Sequence, residues 1–251
     1  MLKILKKFIL DLFFPKKCLA RLADGRGCGK AGVYICDSCL DKIEIVQNNQ
    51  CPFCGRPIPA TLICQPCQKN YYLSRLIWTA NYYNPLIQKL IKIFKYHYVK
   101  ELAGPLAQLL IKSLAQCGIL DFQHTALVIP IPLHKRKLRE RGFNQTELLA
   151  KEVAEHFSLP LETRILIRTK YTPQQAKTKN HKKRKEALEN AFEIDKEFIK
   201  KCVAENKNLL KDKTIILIDD VSTTGATLSE AAKVLKRAGV KEVWGLVIAK
   251  G

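Results

Sequence analysis

Acidic residues are scarce in this chain of 251. Asp and Glu number 23 against 43 Lys and Arg, a formal net charge of +20. An imbalance of that size favours an anionic partner (nucleic acid, a phosphorylated small molecule or an acidic membrane surface), with a solubilising surface as the alternative. Long apolar runs are also lacking: no window reaches the roughly 18 apolar residues that a membrane span needs. The opening MLKILKKFILDLFFPKKC is basic and apolar, but Asp11 interrupts it, Pro15 stops it and no small-residue cleavage site follows. That pattern argues against a secretory signal. Leu2, Leu5, Phe8, Ile9, Leu12 and Phe13 have helical spacing. They predict a short amphipathic helix packed on the protein itself, or alternatively laid on a membrane surface. The expected location is the cytoplasm. There is no internal repeat beyond two cysteine clusters and no low-complexity tract. The apolar fraction of 47% is ordinary for a globular core.

Cysteine is abundant and unevenly placed. Of ten, eight lie between Cys18 and Cys67, leaving Cys117 and Cys202 as ordinary residues. A secreted disulfide protein would spread its cysteines more widely, whereas clustered thiols in a reducing compartment usually bind metal. Cys51, Cys54, Cys64 and Cys67 form two C-x-x-C knuckles, CPFC and CQPC, each presenting two thiolates from a tight turn. Cys18, Cys28, Cys36 and Cys39 form a second candidate set, in which LARLADGRG separates the first pair and would make a longer knuckle loop. All-cysteine ligation implies structural zinc, one or two ions, with no open catalytic position. A stretch so short buries too little apolar surface to fold without its metal.

Composition changes near residue 70, giving residues 1–70 as an N-terminal helix and zinc-ribbon module and 71–251 as a second domain. In the latter, residues 76–83, 126–133, 163–168, 214–219 and 242–250 read as strands. Residues 85–97, 102–114, 146–156 and 227–238 read as helices. Residues 169–189 read as a long basic loop with a helical turn. Alternating strands and helices predict an α/β fold with a parallel, doubly wound sheet.

The segment IILIDDVSTTGAT (215–227) carries the most chemistry. Four apolar residues form a strand that can be buried on both faces. Asp219 and Asp220 follow at its carboxyl end, where open α/β sheets bind ligands. Val221, Ser222, Thr223, Thr224, Gly225, Ala226 and Thr227 complete a hydroxyl-rich turn leading into a helix. Turn amides, hydroxyls and a helix N-terminus suit a phosphate. Two adjacent carboxylates suit a ribose diol and Mg²⁺. A Walker loop is excluded because no Gly-Lys-Ser/Thr ending is present, and the Rossmann fingerprint is absent. The competing account, a polar turn that merely caps a helix, explains one hydroxyl but not four beside a Gly and two acids.

This segment resembles the ribose-phosphate motif of type I phosphoribosyltransferases. Together with LFFPKKC, the Cys pairs, YYNPLIQKLIKIFKYH, VIPIPLHKRKLRERGFNQTELLA and YTPQQAK, the chain resembles the ComF competence-protein family along nearly its whole length. The resemblance implies a double zinc ribbon followed by a type I phosphoribosyltransferase fold. It also implies binding of phosphoribosyl pyrophosphate with Mg²⁺, pentosyl transfer as the activity of a glycosyltransferase, and a link to DNA uptake and competence or DNA-processing proteins.

On that resemblance, residues 130–145 follow the first core strand and contain the pyrophosphate loop. Lys135, Arg136, Lys137, Arg139 and Arg141 stand there against one acid, Glu140, with Arg136 and Arg141 as the expected pyrophosphate ligands and a solvated basic turn as the alternative. Asn144 and Gln145 would fix the loop or touch the sugar. Residues 164–185 hold nine Lys and Arg residues, matching the mobile loop of such enzymes. Gln175, Arg184 and Ala191-Phe192 fit the family's pattern, whereas Ala187 stands where an Asn is usual and Asn190 lies nearer the Phe. Tyr171 among these cations also suits stacking on single-stranded nucleic acid. The alternative function is therefore a single-stranded nucleic-acid-binding module with a vestigial or regulatory phosphoribosyl pocket. The chain stops at Gly251, directly after the last strand, so a base-selecting hood is expected from residues 71–100 or the zinc module.

Overall fold

A computed structural model describes residues 16–21, 26–47, 49–58, 62–97, 99–117, 126–172, 186–204 and 209–251. The helix expected over residues 2–13, and the candidates Gln175 and Arg184, lie outside the described residues. In chain order the elements are α1 (Asp37–Leu40), α2 (Gln65–Gln68), β1 (Arg75–Asn81), α3 (Pro85–Tyr96), α4 (Ala103–Gln116), β2 (Ala126–Pro130), α5 (Lys135–Arg141), α6 (Gln145–Phe157), β3 (Leu166–Arg168), β4 (Phe192–Ile194), α7 (Lys196–Ala204), β5 (Thr214–Ser222), α8 (Ala226–Arg237) and β6 (Glu242–Lys250).

Four of the strands form one parallel sheet in the order β1-β6-β5-β2. Its centre is a run of Ile and Leu because both faces are covered. Ile215, Ile216, Leu217 and Ile218 of β5 are all fully buried. Ile216 and Ile218 face a layer containing α3, α4 and α6, while Ile215 and Leu217 face a layer containing α8 and the β3–β4 hairpin. Each such side chain contributes about 1.5–3 kcal/mol of burial. The helices supply matching stripes: Ile87, Leu90, Ile91 and Phe94 from α3, and Leu228, Ala231, Ala232 and Leu235 from α8. Asn84 starts α3, its side chain accepting from the amides of Leu86 at 3.0 Å and Ile87 at 3.2 Å, with Pro85 in the first turn. Among the described residues, no helix is long and apolar enough to cross a membrane.

Three expectations need correction. Residues 130–145 were expected as a loop, but 135–141 form helix α5. The His134 ring accepts from the Arg136 amide at 3.2 Å, and Gly142, at φ 67°, ends the helix. KRKLRER is made of good helix formers, yet its face is solvated, with Leu138 41% exposed, so no apolar stripe announces it. The strand expected at 163–168 forms only over Leu166–Arg168 and pairs antiparallel with β4 in a separate two-stranded sheet. The strand expected at 214–219 runs on to Ser222, so both acids lie within it.

The two cysteine clusters sit against opposite faces of the central sheet. Cys18, Ile35, Cys36, Cys39 and Leu40 join the apolar layer of α3, α4 and α6. Cys51, Ile63 and Cys64 join the layer of α8. The second module is tied to the sheet by backbone bonds: the Ser74 amide donates to the Val243 carbonyl at 2.8 Å, and the Ile63 amide to the Ser74 carbonyl at 3.3 Å.

Candidate functional site

In each cluster the four sulfur atoms lie within 4.8 Å of one another. The Cys28 and Cys36 sulfurs are 3.8 Å apart and those of Cys54 and Cys64 are 3.5 Å apart. Four sulfurs about 2.3 Å from a tetrahedral zinc would be separated by about 3.8 Å, so both sets fit zinc. The long insert between Cys18 and Cys28 is reconciled by antiparallel pairing. Lys17 bridges Ala31 and Arg21 bridges Gly27. The Cys18 amide donates to the Lys30 carbonyl and the Cys28 amide to the Ala20 carbonyl, which brings the two sulfurs to one place. Within the knuckles the Cys39 and Cys67 amides turn back on the Cys36 and Cys64 carbonyls.

The thiol chemistry agrees with this fit. Burial, with neighbouring thiols adding to it, pushes the Cys39 thiol up to about 12. The Ser38 hydroxyl pulls Cys36 down to about 6. Four thiolates cannot crowd so closely without a cation, and a bound zinc removes the conflict.

A second centre lies at the carboxyl end of β5. Asp220 is 7% exposed and pairs with Lys95, from the last turn of α3, at 2.8 Å. Burial, reinforced by the charge of Asp220, raises the Asp219 carboxyl to about 7 against the counter-pull of Lys95 and Arg168. Burial alone would lower the Lys95 ammonium, but Asp220 and Asp219 outweigh it and hold it above its ordinary value.

The cations of the site come from three elements. Lys137 of α5 is pushed down to about 8 by burial and then by the charges of Arg168, Arg141 and Lys95. Those four cations therefore share one electrostatic neighbourhood. Arg141 donates to the Gln145 side-chain oxygen at 2.9 Å and lies 5.3 Å from the centre of the Tyr96 ring. Arg136 turns outward. It is 61% exposed in its side chain, bonded to Glu140 at 3.0 Å and stacked 4.6 Å from the Tyr171 ring centre. Of the two arginines singled out from the sequence, Arg141 belongs to this neighbourhood and Arg136 to its rim. Asn144 fixes the loop, donating to the Ile131 carbonyl at 3.2 Å and accepting from Thr146 at 2.8 Å.

Beyond the acids, Gly225 adopts φ 73° and opens α8 without a side-chain cap. The Thr224 hydroxyl accepts from the Ala226 amide at 3.4 Å. This hydroxyl turn at a helix N-terminus is the arrangement that holds an oxyanion. Among the described residues, three buried polar side-chain atoms have no partner: Ser222 Oγ, Arg168 Nε and Gln145 Nε2. Each stands at this end of the sheet, on the turn itself or among the cations beside the acids.

Lys95, Lys137 and Arg168 are the residues that sequence reasoning did not single out. A signal for Lys95 existed: it falls four residues after Ile91, on the buried stripe of α3, where a lysine needs a partner.

Comparison with known proteins finds two family models along the chain. Residues 9–68 match the double zinc ribbon domain and residues 145–250 the phosphoribosyl transferase domain. Competence protein F of Haemophilus influenzae is 29% identical over 85% of this chain and 96% of its own. Competence protein ComFC of Bacillus subtilis is 29% identical over 82% of this chain and 79% of its own. The DNA utilization protein YhgH of Shigella flexneri is 30% identical over 84% and 89%. Among solved structures, an allosteric regulatory enzyme of purine biosynthesis aligns with 58% of this chain and 26% of its own, at 18% identity and a TM-score of 0.35, too slight a likeness to argue from.

Proposed function

Because the chain belongs to the family of competence protein F, ComFC and the DNA utilization protein YhgH, we propose that it binds phosphoribosyl pyrophosphate with Mg²⁺ at the carboxyl end of β5. Residues 1–70 act in this reading as a zinc-ribbon module and residues 71–251 as the phosphoribosyltransferase domain. The observation that carries the proposal is the trio of partnerless buried atoms, Ser222 Oγ, Arg168 Nε and Gln145 Nε2. Buried polar groups are rarely left unsatisfied, and a bound sugar phosphate would satisfy these.

Each part of the ligand has a matching set of groups. Asp219 and Asp220 accept from the 2′- and 3′-hydroxyls. Ser222, Thr223, Thr224, Gly225, Ala226 and Thr227 hold the 5-phosphate through hydroxyls and turn amides. Arg141, Lys137 and Arg168 face the diphosphate, with Arg136 at the rim. Mg²⁺ would neutralise diphosphate charge, and Asp219 and Asp220 are the carboxylates able to orient its hydration shell. As C1′ loses its diphosphate, positive charge grows on the sugar and negative charge on the leaving group. Prearranged cations at the second place lower the barrier most. Lys95 and Tyr96, at the end of α3, stand in residues 71–100, one of the two places, with the zinc module, expected to provide the hood. The clustered thiols favour a reducing compartment, the cytoplasm, as the protein's location.

Calorimetric titration with phosphoribosyl pyrophosphate and Mg²⁺ tests the proposal. Saturable binding is expected, lost in the Asp219→Ala/Asp220→Ala double variant. No binding by the intact protein, or equal binding by the variant, sinks it.

A second, compatible reading rests on the rim. Tyr171 is flanked by Arg136 at 4.6 Å and Lys137 at 5.9 Å, a stacking platform with cations on a chain of net charge +20. It suits single-stranded DNA, in keeping with the DNA-related names of the relatives.

A further inference from the structure

Phe53 lies between two zinc ligands, in the knuckle Cys51–Pro52–Phe53–Cys54. Its ring reaches across to the phosphate turn of the other domain. A Cβ placed on Gly225 would fall 2.4 Å from Phe53 Cε1 and 2.9 Å from Cζ, so the ring is seated directly on the Gly225 backbone. The ring is not free to swing aside. It stacks face to face on Tyr71, with centroids 3.5 Å apart and planes inclined by 2°.

Both rings hang from the second cysteine cluster. Phe53 lies in the turn between the ligands Cys51 and Cys54, closed by the Gly55 amide on the Cys51 carbonyl at 2.9 Å, and the Tyr71 amide donates to the Cys67 carbonyl at 3.1 Å. The next residue, Tyr72, donates its amide to Ser229 of α8 at 3.4 Å. One metal would thereby hold both halves of an aromatic stack in register. That stack bears on the left-handed residue that opens the phosphate turn. Gly225 has no side chain with which to cap α8, and a ring packed on its backbone adds preorganisation to the turn.

We propose that Phe53 is a positioning residue for the phosphate turn, and that metal at the second cysteine cluster preorganises residues 223–227 through the Phe53–Tyr71 stack. The inference rests on the assignment of that turn to the 5-phosphate for its functional meaning, but its structural core stands apart from ligand binding. It couples a centre that takes no part in chemistry to the affinity of one that does. It also gives a reason for a zinc ribbon to be joined to a phosphate-binding domain. The first cysteine cluster, on the opposite face of the sheet, lacks any such contact among the described residues and should not show the effect.

Hydrogen exchange on the full chain without ligand is the deciding measurement. In the Phe53→Ala variant, with zinc content confirmed unchanged, amides of residues 223–227 are expected to exchange at least tenfold faster while those of Ile216 and Leu217 stay protected. Tyr71→Phe keeps the stack and should leave exchange unchanged. Chelation of zinc should reproduce the Phe53→Ala pattern. Unchanged exchange at residues 223–227 in zinc-loaded Phe53→Ala overturns the proposal, whatever chelation does to the rest of the fold. Titration with phosphoribosyl pyrophosphate then separates the two readings. If the intact protein binds, Phe53→Ala should raise Kd about tenfold. If the intact protein does not bind, the ligand assignment falls while the exchange result still decides the coupling.

Discussion

Lys95 and Asp219 show how single residues set the character of the carboxyl end of β5. Lys95 is on the buried stripe of α3 and tolerable there only because Asp220 lies 2.8 Å away. Removing it by Lys95→Met would leave that carboxylate buried beside a second one. A loss of about 3–5 kcal/mol is expected, read from denaturant unfolding, as for other broken buried pairs. Asp219 gives a pH signature. Its folded-state value of about 7 is above the ordinary 3.8, so ionising it opposes folding. Its contribution is intact below about pH 4, declines as pH rises, and is fully lost above about 7. Asp219→Asn should therefore match the parent near pH 4 and exceed it at pH 8 by on the order of 2 kcal/mol, a figure reduced for partial solvent access. A constant difference across that range would refute the assignment. Such residues were half legible. The acids stood out through their company in the motif, whereas Lys137 and Arg168 looked like any others in basic stretches, because burial and mutual repulsion are not written in composition.

Among the elements, the cysteine modules and β5 were the most legible. Thiol spacing is a local property, and a strand buried on both faces must be continuously apolar. The expected chemistry of the modules is two zinc ions per chain, released on denaturation and counted with a chromogenic chelator. Cys36→Ser should release one and Cys64→Ser the other, and a parent carrying a single ion would contradict the pairing of Cys18 with Cys28. Helix α5 was illegible for a physical reason: a solvated helix with Leu138 exposed has no apolar period to read. The hairpin of β3 and β4 escaped for another. Strands of three residues pair across more than twenty intervening positions, and nothing local states their partner.

Across the whole molecule, charge and layering dominate. With +20 on one chain, binding to single-stranded DNA should weaken steeply with salt. The logarithm of the association constant should fall linearly with the logarithm of salt concentration, at about 0.7 per phosphate neutralised. Fluorescence anisotropy across salt concentrations measures that slope, and a flat response would exclude the Tyr171 rim as a platform. The sequence by itself determined the α/β class, the two sets of metal ligands and the DDVSTTGAT motif, because periodicity, thiol spacing and turn chemistry act between near neighbours along the chain. The tertiary structure alone decided that the cysteine clusters take opposite faces of one sheet, that Lys95 answers Asp220, and that Phe53 of a zinc knuckle rests on Gly225 of the hydroxyl-rich turn. Those contacts join residues up to some 170 positions apart, and their energy comes from packing and burial that exist only once the layers have closed.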